Sequence, residues 1–182
     1  METWKYIREI LILPVAELIV IPGVILWLTG PDTFGVWQSV PASRLGLPIL
    51  GSLIICLGFA LLVATIRQFV KAKTGTLAPW RISQRLVVWG VYRHVRNPMM
   101  TGVLFIILGE AILTASAPLL IWFLVFGGVT EVFIRLIEEP ALRTQFGSDY
   151  LTYKQNVPRW IPRLRAWTPL GSDAETNSER QC

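Results

Sequence analysis

The chain has 182 residues, 53% of them hydrophobic and only 16% charged, a balance too apolar for an ordinary soluble domain. Its net charge of +5 does not point to nucleic acid, because the basic residues border apolar runs, where anionic lipid and topology selection account for them. Cys56 and Cys182 form neither a metal-ligand spacing nor a disulfide framework, and with His94 the only histidine no metal site is expected.

The pattern predicts an all-α protein, an integral membrane helical bundle of four spans. Residues 6–28 form the first apolar run, with Lys5 and Arg8 near its start and Gly30-Pro31-Asp32 at its end. A helix of about 20 residues crosses the hydrocarbon, so this run suffices. It continues past the length of a signal-peptide core and carries Glu9 and Glu17, so it is expected to stay in the mature protein. Pro14 and Pro22 are expected to kink it. After a nearly neutral loop, residues 45–66 form a second run with Gly46, Gly51 and Gly58, small residues that let another backbone approach.

Residues 67–98 contain Arg67, Lys71, Lys73, Arg81, Arg85, Arg93 and Arg96 and no acid. The positive-inside rule therefore assigns them to the cytoplasmic side and the 32–44 loop to the outside. The apolar stretch 103–137 is too long for one span, and Ser116-Ala117-Pro118 divides it into a helical hairpin. Beyond Glu138-Glu139-Pro140, the residues Leu142, Phe146, Tyr150, Tyr153 and Val157 recur at spacings of three and four, which marks a C-terminal amphipathic helix from about 140 to 156. The chain reads as a single membrane domain over 1–182, with two N-terminal spans in 1–66, a core in 67–163 and a polar tail in 164–182.

Two places suggest chemistry. At Asn97-Pro98 an Asn side chain can cap a helix whose first position suits Pro, and Arg93 and Arg96 flank that start, a seat for a carboxylate or phosphate. On the second leg of the hairpin, Glu131, Arg135 and Glu138 share a helix face with Glu139 beside them. Glu131 reads as a neutralising partner of Arg135. Arg135, Glu138 and Glu139 read as functional, because the hairpin returns them to the membrane face where Pro98 begins. Glu110 is expected to pair with a nearby polar group. His94 suits a base or a surface contact equally.

The ordered pieces Gly90-Val91-Tyr92-Arg93-His94-Val95-Arg96-Asn97-Pro98-Met99-Met100, a hairpin, Glu138-Glu139, Phe146-Gly147-Ser148-Asp149-Tyr150-Leu151-Thr152-Tyr153 and Val157-Pro158-Arg159 together resemble the isoprenylcysteine carboxyl methyltransferase family and its bacterial and archaeal relatives. That family lies within a larger group of membrane methyltransferases that includes phospholipid methyltransferases. The resemblance covers residues 73–163. It implies an S-adenosylmethionine-dependent enzyme with a cofactor pocket open to the cytoplasm and a lipophilic substrate that enters from the bilayer.

By position, the resemblance assigns Gln84, Arg85, Leu86 and Val87 to the cofactor pocket, Tyr92 to its aromatic contact, and Asn97, Pro98, Met99 and Met100 to the family's helix-start motif. Glu139, with Glu138 beside it, takes the place of the acidic cofactor ligand, and Arg135 that of the residue facing the substrate carboxylate. Asn97 stands where His is common and Met100 where Tyr is common. The expected activity is carboxyl O-methylation of an isoprenylcysteine-like acceptor. The alternatives are amine N-methylation of a phospholipid, in which Arg135 would bind phosphate, and a non-catalytic membrane scaffold of the same fold.

Overall fold

The computed structural model describes residues 16–33, 43–72 and 86–168, all helix, turn or irregular chain with no strand among them. Gln84 and Arg85, the start of the first apolar run and the polar tail from residue 169 onward lie outside the described residues. A π-helical turn at Ala16–Val20 leads into α1, Ile21–Thr29. Pro22 follows directly on the π-helical turn, inside a helical run that continues from Ala16 to Thr29.

Helix α2, Ser43–Ala72, and α3, Pro98–Leu113, pack antiparallel. Their glycines explain how. A Cβ on Gly51 would lie 2.8 Å from the Gly109 carbonyl oxygen, and one on Gly58 would lie 2.7 Å from that of Gly102. Each helix thus presents a bare backbone to the other at two levels, the close approach that small residues in the second run predict. Gly46 has nothing within 4 Å and takes no part. Around this seam Leu62, Val103, Ile106 and Ile107 form a buried cluster, covered by Leu18, Ile66, Met99, Trp122, Phe123 and Phe126.

The hairpin turns where the sequence breaks. Ala115 takes a positive φ of 47°, and Ser116 caps α4, Ala117–Phe133, by accepting from Leu119 N. The same turn binds the end of α1, through Asp32 N to Thr114 O (2.8 Å) and Ala117 N to the Thr33 hydroxyl (2.6 Å). Residues 32–33 and Pro98 therefore occupy opposite ends of the bundle.

Helix α4 does not stop at its polar end. It passes through a π-helical turn, Ile134–Glu138, into α5, Glu139–Asn156. Gly147, at φ 54° and ψ −126°, breaks α5 in two, so the expected amphipathic helix is a kinked continuation of α4. Its periodic residues do converge: Tyr150, Tyr153 and Val157 are buried together, with Leu142, Phe146, Leu86, Val88 and Trp167 packed on them. Two helices, Gly46–Gln68 and Ala117–Asn156, are long and apolar enough to cross a membrane, while Ala16–Thr29 and Pro98–Leu113 are apolar but shorter.

Candidate functional site

The end of the bundle that holds Pro98 is built from residues 86–97, the start of α3, the junction of α4 and α5, and the irregular run 157–168. That run lies along residues 93–97 like a strap. Arg96 N donates to Pro158 O (2.9 Å), Asn97 N to Arg159 O (3.4 Å), Arg163 N to His94 O (3.0 Å) and Trp167 N to Arg93 O (3.0 Å). Side chains reinforce it: Arg93 Nε donates to Trp167 O, Arg96 Nε to Val157 O, and His94 Nδ1 lies 2.7 Å from Arg163 O.

These contacts change two expectations. Asn97 makes no side-chain cap, although α3 begins at Pro98. Its carbonyl instead takes the Thr101 N–H (3.0 Å) and hydroxyl (2.8 Å), and its own N–H pairs with the strap. The seat expected between Arg93 and Arg96 is narrowed, because Arg93 gives Nε and Nη2 to Trp167 O and Thr168, and Arg96 gives Nε and Nη1 to Val157 O, Glu139 and Tyr150.

Glu139 is the hub. Its buried carboxylate, 6% exposed, accepts from Arg96 Nη1 (2.8 Å), Arg159 Nη2 (2.6 Å) and Nε (3.0 Å), and Lys154 Nζ (2.6 Å). Arg159, 14% exposed, also ion-pairs with Glu131, which accepts from the Trp160 indole (2.9 Å) and from Arg135 (2.7 Å). Burial works against the Arg159 charge, but its hydrogen bonds and attraction to Glu131 and Glu139 outweigh that and raise its pKa. Tyr150 accepts from Arg96 Nη1 (3.2 Å), and Tyr153 donates to the Tyr92 carbonyl (2.7 Å).

Glu138 is different. It is partly buried and stands near Tyr92, Glu139, Arg96 and Arg159, yet no hydrogen bond or ion pair engages its carboxylate among the described residues. Burial first, then Tyr153 and Glu138, push the Tyr92 phenol up. Arg135 is more open: its side chain is 66% exposed and binds Glu131 by one nitrogen. The π turn holds one residue more than an α turn, so helix faces before and after it fall out of phase. Even so, Arg135 stays on the side of Glu139, since its partner Glu131 is bridged to Glu139 by Arg159, but it ends exposed where Glu139 is buried.

Of the other expected site residues, Leu86 packs on the second cluster, Val87 is half-buried, Pro98 is buried, Met99 packs on the first cluster and Met100 is partly exposed. Glu110, expected to pair, has a buried Oε2 without a hydrogen-bond partner among the described residues. Three residues went unrecognised in the sequence: Arg159, Lys154 and Gln68. Buried Gln68 accepts from Val91 N (2.9 Å) and donates to the Trp89 carbonyl, gripping the turn in which Gly90 takes φ 59°. Arg159 lay inside a quoted motif, but nothing in the spacing reveals that it bridges two acids.

A family model described as phospholipid methyltransferase matches residues 47–149, more than half of the chain. The chain belongs to the phospholipid methyltransferase family. No curated protein and no solved structure matches it. The phospholipid methyltransferases are membrane methyltransferases related to the isoprenylcysteine enzymes, so the coarser part of the resemblance holds. In this member of the phospholipid methyltransferase family the match spans α2, the Gly90 turn, the hairpin and both acids, and ends before Tyr150 and Arg159.

Proposed function

We propose that this chain is an S-adenosylmethionine-dependent methyltransferase that methylates the headgroup amine of a phospholipid, with its site on the cytoplasmic side of a four-span bundle. One observation carries the reading: a cluster of mixed charge, with Glu131, Glu138 and Glu139 among Arg96, Arg135 and Arg159, stands where the apolar surface of α4 gives way to the polar end of the bundle. A zwitterionic headgroup offers the complementary pair, a phosphate and an amine.

The residues present fit the cofactor. It has an ammonium and ribose hydroxyls that a carboxylate can accept from, and a carboxylate that N–H donors can hold. Glu138 suits the first task. The amides of Met99 and Met100, in the first turn of α3, suit the second, with Leu86, Val87 and Tyr92 as apolar walls and Gln84 and Arg85 beside them by family position. Glu139 acts one step back, holding Arg96 and Arg159 so that the strap closes over residues 93–97. When bound, the cofactor supplies an electrophilic methyl group. The nucleophile is the acceptor's own nitrogen, neutral once its ammonium proton has passed to solvent, and S-adenosylhomocysteine is the leaving group; the chain binds, orients and then excludes water.

Arg135 is proposed to hold the acceptor's anionic group. Its exposed guanidinium gives only one nitrogen to Glu131 and retains donors for a phosphate. The same freedom supports a second reading, orientation of an isoprenylcysteine carboxylate for O-methylation. Titration of S-adenosylmethionine into the protein in nanodiscs tests the cofactor assignment. Glu138→Gln should weaken binding by about 1.5–3 kcal/mol, the range for a hydrogen bond to a charged group. Equal affinity in a folded Glu138→Gln protein sinks the assignment.

A further inference from the structure

The strap carries a feature that the cofactor and acceptor do not use. Ile161 is 79% exposed, and Leu164, at 98%, is the most exposed large apolar side chain among the described residues. Both stand on a backbone that is firmly held, by Arg163 N to His94 O and by Trp167 N to Arg93 O, so this exposure is not that of a loose end.

Their depth follows from their neighbours. The Trp160 indole donates to Glu131 (2.9 Å) and the Trp160 carbonyl accepts from the Thr101 hydroxyl (3.4 Å). Glu131 lies within the apolar surface of α4, which continues outward through exposed Val132, Phe133, Leu136 and Ile137. On the helix axis Ile137 is roughly 8 Å beyond Glu131. The Trp160 indole therefore reaches back toward the apolar band, while Ile161 and Leu164 follow it on the side of the polar end, where acyl chains meet headgroups.

Charge selects the kind of lipid. From residue 150 to 172 the sequence has no acid, while it has Lys154, Arg159, Arg163 and Arg165. Lys154 and Arg159 are taken by Glu139 and Glu131, and Arg163 gives Nη1 to Asn156 O (2.6 Å). Arg165 is exposed and makes no ion pair among the described residues. Apolar residues that alternate with basic ones are the pattern of an interfacial anchor, whose affinity rises with anionic lipid.

We propose that residues 160–165 are a bilayer-surface anchor for anionic phospholipid, with Ile161 and Leu164 at the acyl boundary and Arg165 on headgroup phosphates. Because Arg159 and Trp160 of the same run hold Glu139 and Glu131, lipid bound here steadies the strap over residues 93–97. The inference does not depend on the methyltransferase reading. It is tested without turnover, in protein carrying Cys56→Ala and Cys182→Ser, with Leu164→Cys or, separately, Ile161→Cys labelled by an environment-sensitive fluorophore.

In nanodiscs, spin-labelled acyl chains should quench both probes and aqueous iodide should not. Quenching should increase when phosphatidylglycerol joins phosphatidylcholine, and Arg165→Glu should lose that increase. Iodide quenching of both probes, equal lipid quenching in the two compositions, or protection from both quenchers by a second protein copy would each overturn the proposal.

Discussion

Replacing Glu139 by Gln keeps the shape of the hub and removes its charge. Three cations then lose their carboxylate. Lys154, 43% exposed, forms a surface-type contact worth about 0–1 kcal/mol. Arg96 and Arg159, at 10% and 14% exposure, are barely solvated, and a hydrogen bond from such a group to a carboxylate is worth about 1.5–3 kcal/mol. Arg159 keeps Glu131, which limits the loss. The sum is about 3–5 kcal/mol, the range found when one partner of a buried pair is removed. For a chain of this size that is a fall in melting temperature of roughly 6–20 °C.

Thermal denaturation in detergent measures the fall, and amide exchange shows where it acts. Protection should drop first at Arg96, Asn97 and Arg163, whose N–H groups tie the strap to residues 93–97. A Glu139→Gln protein with unchanged melting temperature and unchanged protection there would refute the reasoning, and would return Glu139 to the role of a ligand acid.

Gly58→Leu should prevent stable packing of α2 on α3, since even a Cβ would meet the Gly102 carbonyl at 2.7 Å; overpacking costs about 1–3 kcal/mol and is read as a lower melting temperature, whereas Gly46→Leu should be silent. Gln68→Ala should loosen the turn at Trp89 and Val91 and weaken S-adenosylmethionine binding, checked by calorimetry against Gln68→Glu, which keeps an acceptor for Val91 N. Arg135→Lys should bind the cofactor almost normally yet turn over far more slowly, because an ammonium cannot grip two oxygens side by side; turnover that survives in Arg135→Ala would remove this residue from the acceptor site.

Much of the frame was legible from the sequence. Apolar length, the Ser116-Ala117-Pro118 break and the α3 start at Pro98 depend on local chemistry that a single segment carries. So did the seam at Gly51 and Gly58, because a bare backbone has few other uses in an apolar helix. The site was less legible. A helix-period count puts Arg135 near Glu139 but cannot tell that one ends exposed and the other buried under Arg96 and Arg159. The Glu139 hub depends on Arg159, twenty residues away, and on Arg96 across the hairpin, and no spacing rule links the three. Gln68, an unremarkable polar residue at the end of an apolar run, gains its part only when the Gly90 turn folds back onto it.

The central claim is methyl transfer to a lipid headgroup amine, and mass spectrometry of the lipids tests it most directly. The purified protein is incubated with isotope-labelled S-adenosylmethionine and vesicles containing phosphatidylethanolamine, in parallel with a prenylated cysteine of free carboxylate. The account predicts labelled methyl groups on the ethanolamine nitrogen and their loss in Arg135→Ala. Label on the prenylcysteine carboxylate alone would favour the second reading, and no label on either acceptor, with cofactor bound, would contradict the account.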